Sequence, residues 1–153
     1  MTKAIQRRLA GDEGFTLIEL MVVVMIIAVL IAIAIPSFLG FRSSAQDRSA
    51  QSDIRNTLLV EKAIWLETGD YTAVAADLTA FEPSLLFDAT GVDGTSLILN
   101  GTDTVCIQRI SASGTAFGIW ESDTLGTWYG DNDAAILAAC PAAAPAGWTQ
   151  TGW

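Results

Sequence analysis

The sequence predicts an α+β protein, in which a long N-terminal helix packs its later half against a head built on a roughly four-stranded antiparallel sheet. Three observations predict it. An almost unbroken apolar run extends from Phe15 to Ile35, a mixed helix-favouring stretch continues it to Glu67, and short β-prone segments punctuated by turn residues follow from Thr95 onward. A helix apolar on one face and a sheet apolar on one face each need a partner, and packing them together buries both.

Taken in order, the chain opens with MTKAIQRRLAGDEG, a polar segment carrying Lys3, Arg7 and Arg8. The apolar run that follows rises roughly 31 Å as a helix, matching the hydrocarbon thickness of a bilayer. Glu19 sits inside it. A carboxylate in a spanning segment costs on the order of 3 kcal/mol by insertion scales, so a lone acid there points to function. The competing reading is an acid near the membrane edge that reaches headgroup water. A secretory signal places its small-residue cleavage site after a shorter apolar region, whereas Gly14 precedes a longer one. Cleavage at Gly14 would discard residues 1–14 and leave the hydrophobic helix as the new N-terminus.

Beyond the run, Phe38, Phe41, Ala45, Ile54, Leu58 and Trp65 fall largely at three- and four-residue multiples. One face can therefore bury, while Arg42, Asp47, Arg48, Asp53, Arg55, Glu61 and Lys62 are assigned to the others. Gly69 after Thr68 supplies a C-terminal stop. The element spans residues 15–67, with 15–35 as the membrane or core part and 36–67 amphipathic, about 80 Å in all. Pro36 and Gly40 lie inside it. Proline removes a helical hydrogen bond and clashes with the preceding turn, so a kink is expected there.

Residues 68–153 form the expected acidic head. Gly69 to Gly94 reads as an irregular connection with short helical turns around Val74 to Ala80. Then come TSLIL, Asn100-Gly101 and TDTVCIQRI, a hairpin pattern in which both turn residues tolerate positive φ. Turns at Ser113-Gly114 and Ser122-Asp123 lead into TAFGIW and TLGTWYG, completing four strands.

The stretch Gly14-Phe-Thr-Leu-Ile-Glu-Leu20, followed by the apolar helix and Pro36, resembles the type IV prepilin signature without a mismatch. The resemblance implies a pilin fold and cleavage of the bond after Gly14 by a membrane aspartic peptidase on the cytoplasmic side. It also implies N-methylation of the new terminus, Phe15, and a role for Glu19 in methylation and filament assembly. Cleavage creates an amine in an apolar setting, where an unpaired charge is costly, and Glu19 of one subunit can neutralise the amine of a neighbour. Such a pair acts as a register key, because removing one partner strands the other at roughly 3 to 5 kcal/mol. Local unwinding near Pro36 and Gly40 in a filament is a further implication.

Cys106 and Cys140 are the two cysteines. In an extracytoplasmic head they are expected to pair, contributing roughly 3 to 4 kcal/mol by chain entropy; the alternative is two unlinked thiols.

Composition agrees. The chain is 51% hydrophobic, with the excess at one end, and its formal net charge is −9. After Gly69 the only base is Arg109, which argues against nucleic-acid binding by the head. The basic leader orients it inward and the acidic head outward. There is no histidine, and no phosphate-cradling glycine motif or catalytic triad, so neither an enzyme nor a cofactor is expected. Asp131-Asn132-Asp133 and Asp88 with Asp93 lack calcium-loop spacing and read as solvated turns. Trp148 and Trp153 near the C-terminus either cover the sheet and disulfide loop or form an exposed adhesive surface.

The resulting expectation is a structural pilus subunit that leaves the cytoplasmic membrane and polymerises into a helical homo-oligomeric surface filament. Its implied partners are a prepilin peptidase/methyltransferase, a membrane platform protein and an assembly ATPase. The rival readings are a pseudopilin of a type II secretion or competence system, and a single-pass anchored binding domain that never polymerises.

Overall fold

The computed structural model describes residues 14–131 and 138–153. Its first element, α1, runs from Leu17 to Thr68 and contains Pro36 without a break in the helical assignment. Residues up to Gly40 and residues from Phe41 onward form two separate compact units.

In the first unit the apolar side chains from Phe15 to Leu39 are exposed around the whole helix circumference. Among the described residues no tertiary contact therefore holds them, and the segment is long and apolar enough to cross a membrane.

The second unit holds the sheet. After α1, Gly69 adopts φ +85° and its N–H donates to the Trp65 carbonyl at 2.8 Å. Only glycine takes that left-handed turn without cost, so the helix stops where the sequence indicates. A short helix, α2 (Ala75–Phe81), occupies the connection. Strands β1 (Ser96–Asn100), β2 (Thr104–Ile110), β3 (Ala116–Ser122) and β4 (Gly126–Asp131) follow. They form an antiparallel meander in the order β1-β2-β3-β4.

The first hairpin differs from expectation in one respect. Asn100 pairs with Thr104, so the loop is Gly101 to Asp103, and of the Asn-Gly pair only Gly101 takes positive φ, at +69°. The extra loop residue makes Asn100 the last strand residue rather than part of a two-residue turn.

Each face of the sheet is covered differently. Val105, Ile107, Phe117 and Ile119 pack on Ala50, Ile54 and Leu58 of α1, while Cys106 and Trp120 face the other way with Cys140, Trp128 and Trp148. Alternation along β2 and β3 thus produces two cores, and every residue of β3 is buried. Ile64, Leu78 and Leu85 form a third cluster that seats α2 on the end of α1.

The second cover is the C-terminal tail. Cys140 is disulfide-bonded to Cys106, and the Trp120 indole N–H donates to the Pro141 carbonyl at 2.8 Å. Gly118 and Gly130 are opposite each other on β3 and β4. A Cβ at either would run into the Trp148 ring, so the paired glycines make the slot that this indole fills. Thr149 then exchanges two backbone hydrogen bonds with Tyr129, at 2.7 and 2.9 Å. Trp153 ends up on the helix side, edge-on to Phe117 and Tyr129 with ring centroids 5.6 and 5.0 Å away. The Arg55 guanidinium lies 5.0 Å from its ring centre. Both terminal tryptophans are therefore cover for the sheet rather than an adhesive surface, and the tail straps the edge of β4.

Gly130→Ala is expected to destabilise the detergent-solubilised chain by about 1 to 3 kcal/mol through overpacking against Trp148. In a Trp148→Ala background the same change should cost much less. Urea unfolding followed by circular dichroism would measure both; equal costs would contradict the slot.

Candidate functional site

The segment singled out by sequence begins in a non-helical stretch, Gly14 to Thr16, just ahead of α1. Gly14 and Phe15 are exposed, Phe15 to 81%. The helix begins at Leu17 because Thr16 and Glu19 cap it reciprocally. The Glu19 backbone N–H donates to Thr16 Oγ1 at 3.2 Å, and Thr16 donates its backbone N–H and its hydroxyl to Glu19 Oε2 at 3.2 and 3.0 Å. This is a Thr-x-x-Glu capping box, which satisfies donors that a helix start leaves orphaned. Its signal in the sequence is Thr16 three residues ahead of Glu19 at the start of the apolar run. The box holds the Gly14–Phe15 bond outside the helix. Both hydrogen bonds from Thr16 use Oε2, and Oε1 accepts none from the described residues.

Pro36 and Gly40 lie in the same helix, with the Ser37 hydroxyl donating back to the Ile33 carbonyl at 3.4 Å. The leader residues ahead of Gly14 lie outside the described residues, as do Asn132 and Asp133. Asp88 accepts hydrogen bonds from the Thr90 hydroxyl and, at 3.2 Å, from the Val92 backbone N–H. These, the Thr90 bond foremost, hold its carboxyl below the usual range. It is a turn-forming acid. Among the described residues no three potential ligands gather as a metal site.

Glu61 is a correction. It was assigned to a solvated helix face, yet it is fully buried. Ile54, Thr57, Leu58, Glu61 and Ile64 lie on one stripe at three- and four-residue steps. Extending the phase of Phe38 and Phe41 across the helix hid this, because those two phenylalanines are exposed. Glu61 Oε2 accepts from the Thr72 backbone N–H at 3.2 Å, and Thr72 donates its hydroxyl to Asp77 at 3.2 Å. The carboxylate thus pins the connection and α2 to α1. Burial pushes its pKa from 4.5 to about 7, the Thr72 bond opposing and nearby Asp77 adding to the rise.

A second buried acid, Glu121 of β3, pairs with Lys62 at 3.1 Å, and Lys62 also donates to Thr127 at 3.0 Å. Tyr71 donates its hydroxyl to Glu121 at 3.4 Å; burial first, then the charge of Glu121, raises the phenol's pKa. Arg109 of β2 pairs with Asp53 of α1 at 2.8 Å, so the lone base beyond Gly69 serves as a helix-to-sheet tie.

Residues 10–35 match the family described as the prokaryotic N-terminal methylation motif. The chain is 37% identical over 67 residues to the type IV major pilin protein PilA of Myxococcus xanthus, covering 44% of this chain and 30% of that protein. It is 27% identical over 134 residues to the type IV wide pilus major component PilA4 of Thermus thermophilus, covering 87% of this chain and 97% of the relative. The chain thus carries the N-terminal methylation motif and is similar over most of its length to a type IV pilus component. The chain therefore joins the motif helix to the α+β architecture of a long helix and a four-stranded antiparallel sheet.

Glu61→Gln should change the pH dependence of the protein's stability. A carboxyl whose folded pKa is raised favours folding fully below about 4.5 and loses that contribution as pH rises through about 7. The glutamine variant keeps the acceptor for Thr72 and is expected to be about 2 kcal/mol more stable than wild type at pH 8, with little difference at pH 4. Urea titrations at the two pH values check the sign.

Proposed function

We propose that this chain is the structural subunit of a type IV pilus, made as a membrane-anchored precursor and polymerised into a surface filament. The observation that carries the reading is the exposed, non-helical Gly14–Phe15 bond set directly ahead of a capped helix that is apolar on every side. Such a helix is stable only in lipid or among other apolar helices. Cleavage after Gly14 removes residues 1–14 and makes Phe15 the methylated N-terminus. The segment from Phe15 to Ile35 then exchanges bilayer for filament core, and residues 68–153 form the outer head.

Glu19 has two tasks in this proposal. Its Oε2 keeps the helix start in place through Thr16, and its Oε1 meets the terminal amine of a neighbouring subunit. Pro36 and Gly40 are the positions where the helix yields on assembly, since proline removes one backbone bond and glycine weakens the next turn. A prepilin peptidase/methyltransferase, a membrane platform protein and an assembly ATPase complete the process. The names of both relatives, each a pilus component, favour this reading over a pseudopilin.

Filaments sheared from cells, then sequenced by mass spectrometry, are expected to contain this chain beginning at N-methylated Phe15; a chain starting at Met1 would contradict the proposal. Glu19→Ala and Glu19→Gln separate the two tasks. Both are expected to be cleaved yet to yield few filaments, because neither neutralises the amine, a loss of roughly 3 to 5 kcal/mol per contact. The glutamine variant alone should retain the cap. Wild-type filament yield from Glu19→Gln would remove the amine-pairing role.

A further inference from the structure

The turns of the sheet meet the helix of the head at different heights. The Ser113 hydroxyl, in the turn between β2 and β3, donates to Asp47, while Lys62 reaches Glu121 and Thr127 on β3 and β4. The β2–β3 turn therefore lies beside the early helix, and the other two hairpin turns lie beside its end. Those two turns are joined by the Asp123 N–H donating to the Asp103 carbonyl at 3.0 Å, and the Tyr71 N–H donates to the Thr102 carbonyl at 2.9 Å. Glu67, Asp70, Asp103 and Asp123 consequently share one end. Arg42 and Arg48 stand toward the opposite end, exposed, and neither has an ion pair among the described residues.

The acidic end also has a cleft of about 200 Å³ lined by Lys62, Trp65, Leu66, Tyr71, Glu121 and Asp123. Glu121 is only 4% exposed, and its Oε2 is buried with no hydrogen-bond partner. Lys62 and the Tyr71 hydroxyl both use Oε1. Beside this carboxylate the Trp65 and Tyr71 rings stack at 6.2 Å with planes 26° apart. A buried acceptor oxygen lacking a donor, an acid at the rim and two aromatic faces suit a planar guanidinium, which offers several donors and stacks on rings.

We propose that this cleft receives Arg48 from a second copy of the chain. Within one copy the pairing is out of reach, since Arg48 lies roughly 27 Å along the helix from Leu66. Between copies it joins opposite ends of two heads. Such a contact is heterologous and does not close on itself, so it repeats from subunit to subunit. It also relieves part of the repulsion among strongly acidic heads. The inference rests on the filament reading, to which it adds the head-to-head contact.

The test is charge reversal with rescue, in the full chain in cells, with membrane levels of each variant checked first. Arg48→Glu and Asp123→Arg are each expected to lower sheared filament yield at least fivefold, and the two together to restore it to within twofold of wild type. Arg48→Cys combined with Asp123→Cys should give a ladder of crosslinked chains from oxidised filaments, which neither single variant gives. Failure of the rescue, or absence of the ladder, while wild-type filaments begin at Phe15 would overturn the contact and leave the pilin reading intact. Absence of this chain from wild-type filaments would overturn both.

Discussion

The reciprocal bonding of Thr16 and Glu19 decides where the long helix starts, and the start governs what lies on either side. Upstream, it keeps the Gly14–Phe15 bond out of helical geometry. Downstream, it releases an apolar segment that needs no further polar group to complete its backbone bonding until Pro36. It also changes the meaning of the acid. A bare carboxylate in an apolar run would carry its whole desolvation cost, whereas one oxygen of Glu19 already accepts two hydrogen bonds from Thr16. In the proposed filament the remaining oxygen is the one that would meet a neighbour's amine. The cap and the proposed register key are therefore compatible within one side chain, with the cap orienting the carboxylate within a single copy.

The head depends on a different constraint. Burying β3 on both faces requires two separate covers, and a single helix supplies only one. The tail supplies the other through three attachments of different chemistry: the disulfide at Cys140, the indole bond from Trp120 to Pro141, and the Trp148 ring in its glycine slot. Glu61 and Glu121 show what the helix side carries in exchange. Each is a buried acid held by groups from another element, so the seam is specific as well as apolar.

Much of this was legible in the residues. The long helix and its end at Gly69, the strand positions and the cysteine pair follow from period, turn chemistry and cysteine context, all of them local or nearly local signals. What was not legible depended on three-dimensional phase. Glu61 falls on the buried stripe only when the stripe is set by Ile54 and Leu58; Phe38 and Phe41 belong to surfaces that the isolated chain does not cover. The slot for Trp148 needs Gly118 opposite Gly130, a register that no sequence spacing states. The capping box was readable, but an apolar run invites attention to its hydropathy before its first turn.

An open-ended assembly built through one surface must suppress competing open-ended assemblies through others. An antiparallel sheet has two edges, and an unguarded edge recruits strands as readily as a helix recruits helices. On this head Thr149 occupies the backbone groups of Tyr129 on β4, between tryptophans on opposite faces. At the other edge β1 has five residues, and its approach is engaged by a parallel bridge from Phe87 to Thr95. Strand addition is thereby hindered at Tyr129 on one edge and just ahead of β1 on the other. What remains available among the described residues is the apolar circumference of the first helical unit. The tail that completes the core of the head thus also narrows the routes by which copies can join.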